Sequence, residues 1–174
     1  MSCGGKLEVI FRVLGILLSS VAAIVVGVGK ETKVVPITIS SKLPPFQIVV
    51  VAKWYYLSAF VYLFVTNVIT SSYGLLSLLL RLSNKNLSNN KLTVLIIFLD
   101  TVTVALLSSG TGAVMAIGVM GYNGNSHVRW NKVCDTFGRF CKQVAASAVL
   151  SLAGAIVFML LVILAVLGLL KRPK

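Results

Sequence analysis

Four long apolar runs, divided by short polar segments, set the pattern of this chain. They lie at about residues 9–28, 54–80, 92–121 and 144–170. Each reaches about 20 residues, the length that crosses a hydrocarbon core of roughly 30 Å as an α-helix. Backbone in lipid must satisfy its own N–H and C=O groups, so each run is expected to be helical. The pattern predicts an all-α fold: a four-helix transmembrane bundle in one membrane domain covering residues 1–174. With four spans, both termini share a side with segment 81–91, and segments 29–53 and 122–143 face the other way.

The runs are not uniform. In the first, Gly15, Ser19, Ala23 and Gly27 recur every fourth residue, a small-residue stripe that lets a neighbouring helix come close. In the third, Ser108, Gly112 and Ala116 predict similar packing, as do Ser147, Ser151 and Ala155 in the fourth. The second holds Thr66, Asn67, Thr70, Ser71 and Ser72, which can bond backbone or a neighbouring helix. Two charges break the pattern: Arg12 in the first run and Asp100 in the third. Ser20-Val21-Ala22 has the look of a cleaved leader's end, but Arg12 lies within the would-be apolar core and argues against one.

The polar segments carry their own signals. VVPITIS, residues 34–40, is β-branched enough for a short extended stretch, and Pro44-Pro45 bars a helix. Lys53 beside Trp54, Tyr55 and Tyr56 reads as a membrane-interface belt. Asn86-Leu87-Ser88 is a glycosylation sequon, usable only on the lumenal side. Cys3 is a lipidation candidate or a free thiol. In segment 122–143, Trp130, Phe137 and Phe140 alternate with Arg129, Lys132, Arg139 and Lys142, an arrangement suited to an extracellular interaction loop. Cys134 and Cys141 in the same segment form a local disulfide if it is extracellular, and are free thiols otherwise.

Composition sharpens the class. Only 11% of residues are charged, against about 25% in soluble domains. The formal net charge is +12. A nucleic-acid partner is not expected, because the basic residues sit between the apolar runs, where lysine and arginine meet lipid headgroups. The seven on the terminus side occupy about half the length taken by the eight opposite, which predicts cytosolic termini. Three cysteines and one histidine are too few for a zinc site, so no metal or cofactor is expected. There is no nucleophile–base pair, and His127 reads as a solvated loop residue. An enzyme is the least favoured class.

Asp100 and Arg12 need partners at membrane depth, where an unpaired charge costs about 3 kcal/mol or more. Counted from the predicted ends of the runs, Asp100 lies about 12 Å and Arg12 about 5 Å from the terminus side. An ion pair between them that sets helix register is expected if the first and third spans are neighbours. Snorkelling of Arg12 to the headgroups and a proton or ion relay through Asp100, as in a small channel or transporter, are the alternatives.

Several blocks together resemble the Casparian strip membrane domain protein-like family of plants, itself similar to MARVEL-domain tetraspans. They are RVLGILLSSVAA at 12–23, LDTVTVALLSSGTGA at 99–113, and GYNGNSHVRWNKVCDTFGRFCKQVAASAVLS at 121–151. The resemblance covers nearly the whole chain. It implies that Arg12 and Asp100 are the family's intramembrane charges and that Cys134 and Cys141 are its extracellular disulfide. KLPPFQIVVVAKWYYLSAF, at 42–60, departs from the first-loop signature of the Casparian strip proteins proper and points to the broader "like" group. That resemblance implies a non-enzymatic plasma-membrane scaffold. It would form homo-oligomers and hetero-oligomers with relatives among the membrane lipids, and meet cell-wall or ectodomain partners.

Overall fold

A computed structural model describes residues 3–37, 46–83, 90–127 and 130–170. Among these, four helices are long and apolar enough to cross a membrane. They are α1 (Cys3–Gly27), α2 (Ser58–Ser83), α3 (Asn90–Asn123) and α5 (Gly138–Leu170); a single turn, α4 (Val133–Thr136), precedes the last. The helices overrun the apolar runs that announce them, because hydropathy marks the residues in hydrocarbon and not where the helical hydrogen bonds stop. The second span is the exception. A 3₁₀ turn at Trp54–Tyr56 and an extended Leu57 come first, so the helix starts later than the run.

Helices α1 and α3 each pack along α2 and α5. The bundle is therefore a square in which α1 faces α3 across one diagonal and α2 faces α5 across the other. The first and third spans are thus not side by side, the condition under which the sequence argument allowed an Arg12–Asp100 pair. The surface is inverted relative to a soluble bundle. Large apolar side chains such as Ile10, Leu17, Leu75, Phe98, Ile156 and Met159 are exposed, while Arg12, Asn67, Asp100, Ser147 and Ser151 are buried. Apolar surface on that scale fits a lipid surround rather than water.

Two apolar clusters fill the interior. One, at the end bearing α4, gathers Val26, Phe60, Leu63, Val114, Phe137 and Phe140 with neighbours on α5. The other holds Leu107, Ala155, Phe158 and Leu161. A polar layer lies between them in sequence. Asn67 Nδ2 donates to Ser151 Oγ at 3.1 Å, tying α2 to α5 across their diagonal. Ser147 Oγ donates to the Ala22 carbonyl at 2.8 Å, tying α5 to α1.

The segment between α1 and α2 holds an antiparallel hairpin, β1 (Lys30–Ile37) with β2 (Phe46–Lys53), in register from Lys30 opposite Lys53 to Ile37 opposite Phe46. The extended stretch expected at 34–40 is met by β1 as far as Ile37; the rest of it, Pro44-Pro45 and the sequon at Asn86 lie outside the described residues. A lone hairpin is marginal in water, and this one is anchored. The Glu31 carboxylate accepts the Phe140 backbone N–H at 2.8 Å, in the first turn of α5, where an anion also meets the positive end of the helix dipole. The Lys53 ammonium lies over the Tyr55 and Tyr56 rings at 5.3 and 5.7 Å.

Close packing depends on missing side chains at two glycines. A Cβ on Gly15 would stand 2.9 Å from the Phe158 ring, and one on Gly74 would stand 2.7 Å from Ile16 Cγ1. Gly112 on α3 has nothing within 4 Å of that position. We predict that Gly15→Ala and Gly74→Ala each cost about 1–3 kcal/mol, read as a lower midpoint of thermal unfolding in detergent. Gly112→Ala should leave the midpoint unchanged or raise it slightly, since alanine is the better helix former.

Candidate functional site

The buried polar residues of α1, α2 and α3 converge on one level of the bundle. Arg12 is the tenth residue of α1 and Asp100 the eleventh of α3, about 14 and 15 Å from the helix starts at 1.5 Å per residue. The extra turns at each N-terminus bring the two to matching depth. Both side chains are fully buried. Arg12 Nη2 donates to Asp100 Oδ2 at 2.8 Å, and Nη1 donates to Oδ1 at 3.2 Å. The guanidinium thus reaches across the bundle axis to the diagonal helix in a two-pronged pair. It turns inward rather than toward the headgroups, so the snorkelling alternative does not describe it.

Helix α2 completes the site. The Tyr73 hydroxyl donates to Asp100 Oδ1 at 2.8 Å and lies 3.2 Å from the Ile96 carbonyl. Ser77 Oγ accepts from Arg12 Nη1 at 2.5 Å while donating to the Gly74 carbonyl at 2.9 Å. One turn nearer the terminus side, Arg81 of α2 pairs with Glu8 of α1, both partly buried. Two cations and two anions make the cluster formally neutral. Each Asp100 oxygen is occupied by donors, which replaces part of the hydration the carboxylate would lose in lipid. Arg12 Nε has no hydrogen-bond partner among the described residues.

Sequence reasoning found Arg12 and Asp100 and missed Tyr73, Ser77, Glu8 and Arg81. The signal was present as helical spacing. Tyr73, Ser77 and Arg81 recur every fourth residue, as do Glu8 and Arg12, so each set lies along one helix face.

The other candidate residues divide. Cys134 and Cys141 are joined by a disulfide that ties α4 to the first turn of α5. Trp130 is 43% exposed, and its backbone forms a bridge with Asn125. Phe137 and Phe140 are corrections: each is only 7% exposed, in the apolar cluster, and so neither belongs to an interaction loop. Phe140 packs edge-on to Phe60. Alternation with cations suggested a solvated face, but α5 begins at Gly138 and helical geometry turns Phe140 inward. Gly15, Ser19 and Ala23 line the interior, and Ser19 Oγ donates to the Gly15 carbonyl at 2.9 Å. Gly27 sits beside the Phe64 ring. The stripe Ser108, Gly112 and Ala116 faces out of the bundle, since all three residues are exposed, and a Cβ on Gly112 would meet nothing within 4 Å. The buried face of α3 instead carries Leu107, Gly110, Thr111 and Val114. His127 is exposed, with its backbone N–H on Asn125 Oδ1.

The arrangement predicts a rank order of losses in unfolding free energy, measured by denaturant titration in mixed micelles. Asp100→Asn strands the Arg12 charge and should cost about 3–5 kcal/mol. Tyr73→Phe leaves the ion pair intact and should cost about 1–2 kcal/mol, with Ser77→Ala at or below that.

Comparison with known proteins agrees with this architecture. Residues 2–157 match the family model described as the Casparian strip membrane protein domain. The chain is 52% identical to CASP-like protein 1E1 of Ricinus communis over 173 residues, 98% of this chain and 88% of that one. It is 52% identical to CASP-like protein 1E2 of Glycine max, over 92% of this chain and 85% of that one. With CASP-like protein 1E1 of Arabidopsis thaliana it shares 47% identity, over 91% and 83% of the two chains. No solved structure matches. A family match over most of the chain, near-full-length relatives at about half identity and the four membrane-length helices agree: the chain belongs to the Casparian strip membrane protein family.

Proposed function

We propose that this protein is a non-enzymatic plasma-membrane scaffold, a tetraspan that self-associates and pairs with relatives to organise a membrane domain. The observation that carries the reading is the state of Asp100. Both carboxylate oxygens accept hydrogen bonds, one of them two, in a cluster of balanced charge. A relay needs a group that can release its proton or ion to a next partner. Here the acid is held by Arg12 and Tyr73, which suits fixing the bundle. Family membership supports the same class.

The termini lie in the cytosol on this reading. Two features favour it: the denser basic residues on that side, and a disulfide at the other, which persists in an oxidising space. The extracellular face then comprises the hairpin and the segment around Trp130, and these meet cell-wall or ectodomain partners. The exposed stripe of Ser108, Gly112 and Ala116 offers α3 as a smooth face on which another copy packs closely.

Fluorescently tagged protein in a plant plasma membrane tests the proposal. Stepwise photobleaching should count several copies per spot, with slow lateral diffusion. Gly112→Leu with Ala116→Leu should lower that count while the fold is kept. Single copies that diffuse freely would contradict the scaffold. Ion flux in liposomes that disappears in Asp100→Asn would point to a channel or transporter instead.

A further inference from the structure

A cavity of about 330 Å³ opens in the end of the bundle that carries α4. Its walls come from α3 and α5, among them Val114, Ile117, Gly118, Val144 and Ala148, and the Cys134–Cys141 disulfide closes one side. It exists because small residues meet there. A Cβ on Gly118 would touch nothing within 4 Å, and one on Gly121 would meet only Cys134 Sγ, at 3.6 Å. The charge network lies in the other half of α3, so the cavity is a separate feature.

Among the described residues the walls carry no charged side chain, and their polar side chains are those of Tyr122, Asn123 and Trp130. Water needs two to four polar partners to stay in such a space, and an empty one forfeits dispersion contacts. Met115 and Val119, which line it, are 40% and 59% exposed on the outer face of α3. Ala145 of α5 is exposed beside them. The cavity therefore opens sideways, toward the acyl chains surrounding a membrane helix, and its volume falls within the range of small-molecule sites. Its far edge is of another kind. Asn123, Tyr122 and Trp130 line it there, the two aromatics strongly exposed as in an interface belt. The stem of Lys132 lies against Gly124, the residue after Asn123, and Gly124 reaches φ +71° to make that turn. The only acid in the neighbouring segment is Asp135, on α4.

We propose that this cavity binds one phospholipid. An acyl chain fills the space between Gly118 and Ala148, and the phosphate sits at Lys132 and Asn123, with Trp130 at headgroup level. The segment closed by the disulfide forms the wall over the bound chain.

The test uses the full chain in detergent with added phosphatidylcholine, read by native mass spectrometry. The wild type should keep one phosphatidylcholine per chain under conditions that strip bulk lipid. Gly118→Phe fills the cavity and should reduce the retained lipid about tenfold or more, with helical content and disulfide intact. Ala145→Phe blocks the mouth from the other helix and should do the same, which covers the case that Gly118→Phe fails to fold. Lys132→Ala should weaken retention of phosphatidylcholine several-fold and leave diacylglycerol of the same chains unaffected. Unchanged retention in a folded cavity-filling variant would overturn the proposal, as would a wild type that keeps no lipid. Dissociation of oligomers by Gly118→Phe with no change in lipid would also overturn it, assigning the cavity to a second copy.

Discussion

A guanidinium and a carboxylate that face each other across the diagonal of a membrane bundle constrain everything around them. Neither Arg12 nor Asp100 is tolerable alone in hydrocarbon. Their contact requires α1 and α3 to stand at one separation and one relative height, with α2 beside them to supply Tyr73 and Ser77. Lipid tails are as apolar as leucine, so burial of apolar area does little to choose among helix arrangements in a bilayer. Polar pairing chooses. The second diagonal is closed by the Asn67–Ser151 bond on the same logic. Two diagonal ties, made at different depths, specify a square of four helices far more narrowly than side-by-side packing would.

Small residues let those ties form. Phe158 fills the centre only because Gly15 stands opposite its ring, and Ser19 approaches Gly154 closely enough that a Cβ there would lie 3.3 Å from its hydroxyl. The polar and close-packed interior leaves the periphery to other work. Lipid-facing side chains are broadly apolar, α3 presents one smooth stripe, and the hairpin and Trp130 project from the end carrying the disulfide. The residues that hold the fold are thus buried in the interior and separate from the exposed outer faces of the helices.

The sequence was informative where it broke its own pattern. Four apolar runs announce four spans, and Arg12 and Asp100 are conspicuous because each interrupts one. The rest was obscured for a physical reason. A membrane helix is apolar on both its lipid side and much of its packed side, so hydropathy gives little contrast to show which face points inward. The stripes illustrate this: Gly15, Ser19 and Ala23 face the interior, whereas Ser108, Gly112 and Ala116, with the same spacing, face out. Glu8 and Arg81 read as ordinary flanking charges because their partner lies on another helix. Strand β2, FQIVVVAK, resembles the entry to an apolar span, and only its pairing with β1 sets it apart. The Arg12–Asp100 pair forms without the first and third spans being side by side, because an arginine is long enough to cross a diagonal.

The central claim is that Arg12 and Asp100 are present for each other. A double-mutant cycle with apolar replacements of similar size tests it most directly, with unfolding free energy measured in one lipid environment. Arg12→Met and Asp100→Leu should each cost about 3–5 kcal/mol, because each strands one buried charge. The double replacement strands neither, and Tyr73 and Ser77 keep their backbone acceptors at Ile96 and Gly74. It should therefore recover most of the loss. Additive losses in the double variant, or single variants as stable as the wild type, would contradict the account and give Asp100 a role apart from Arg12.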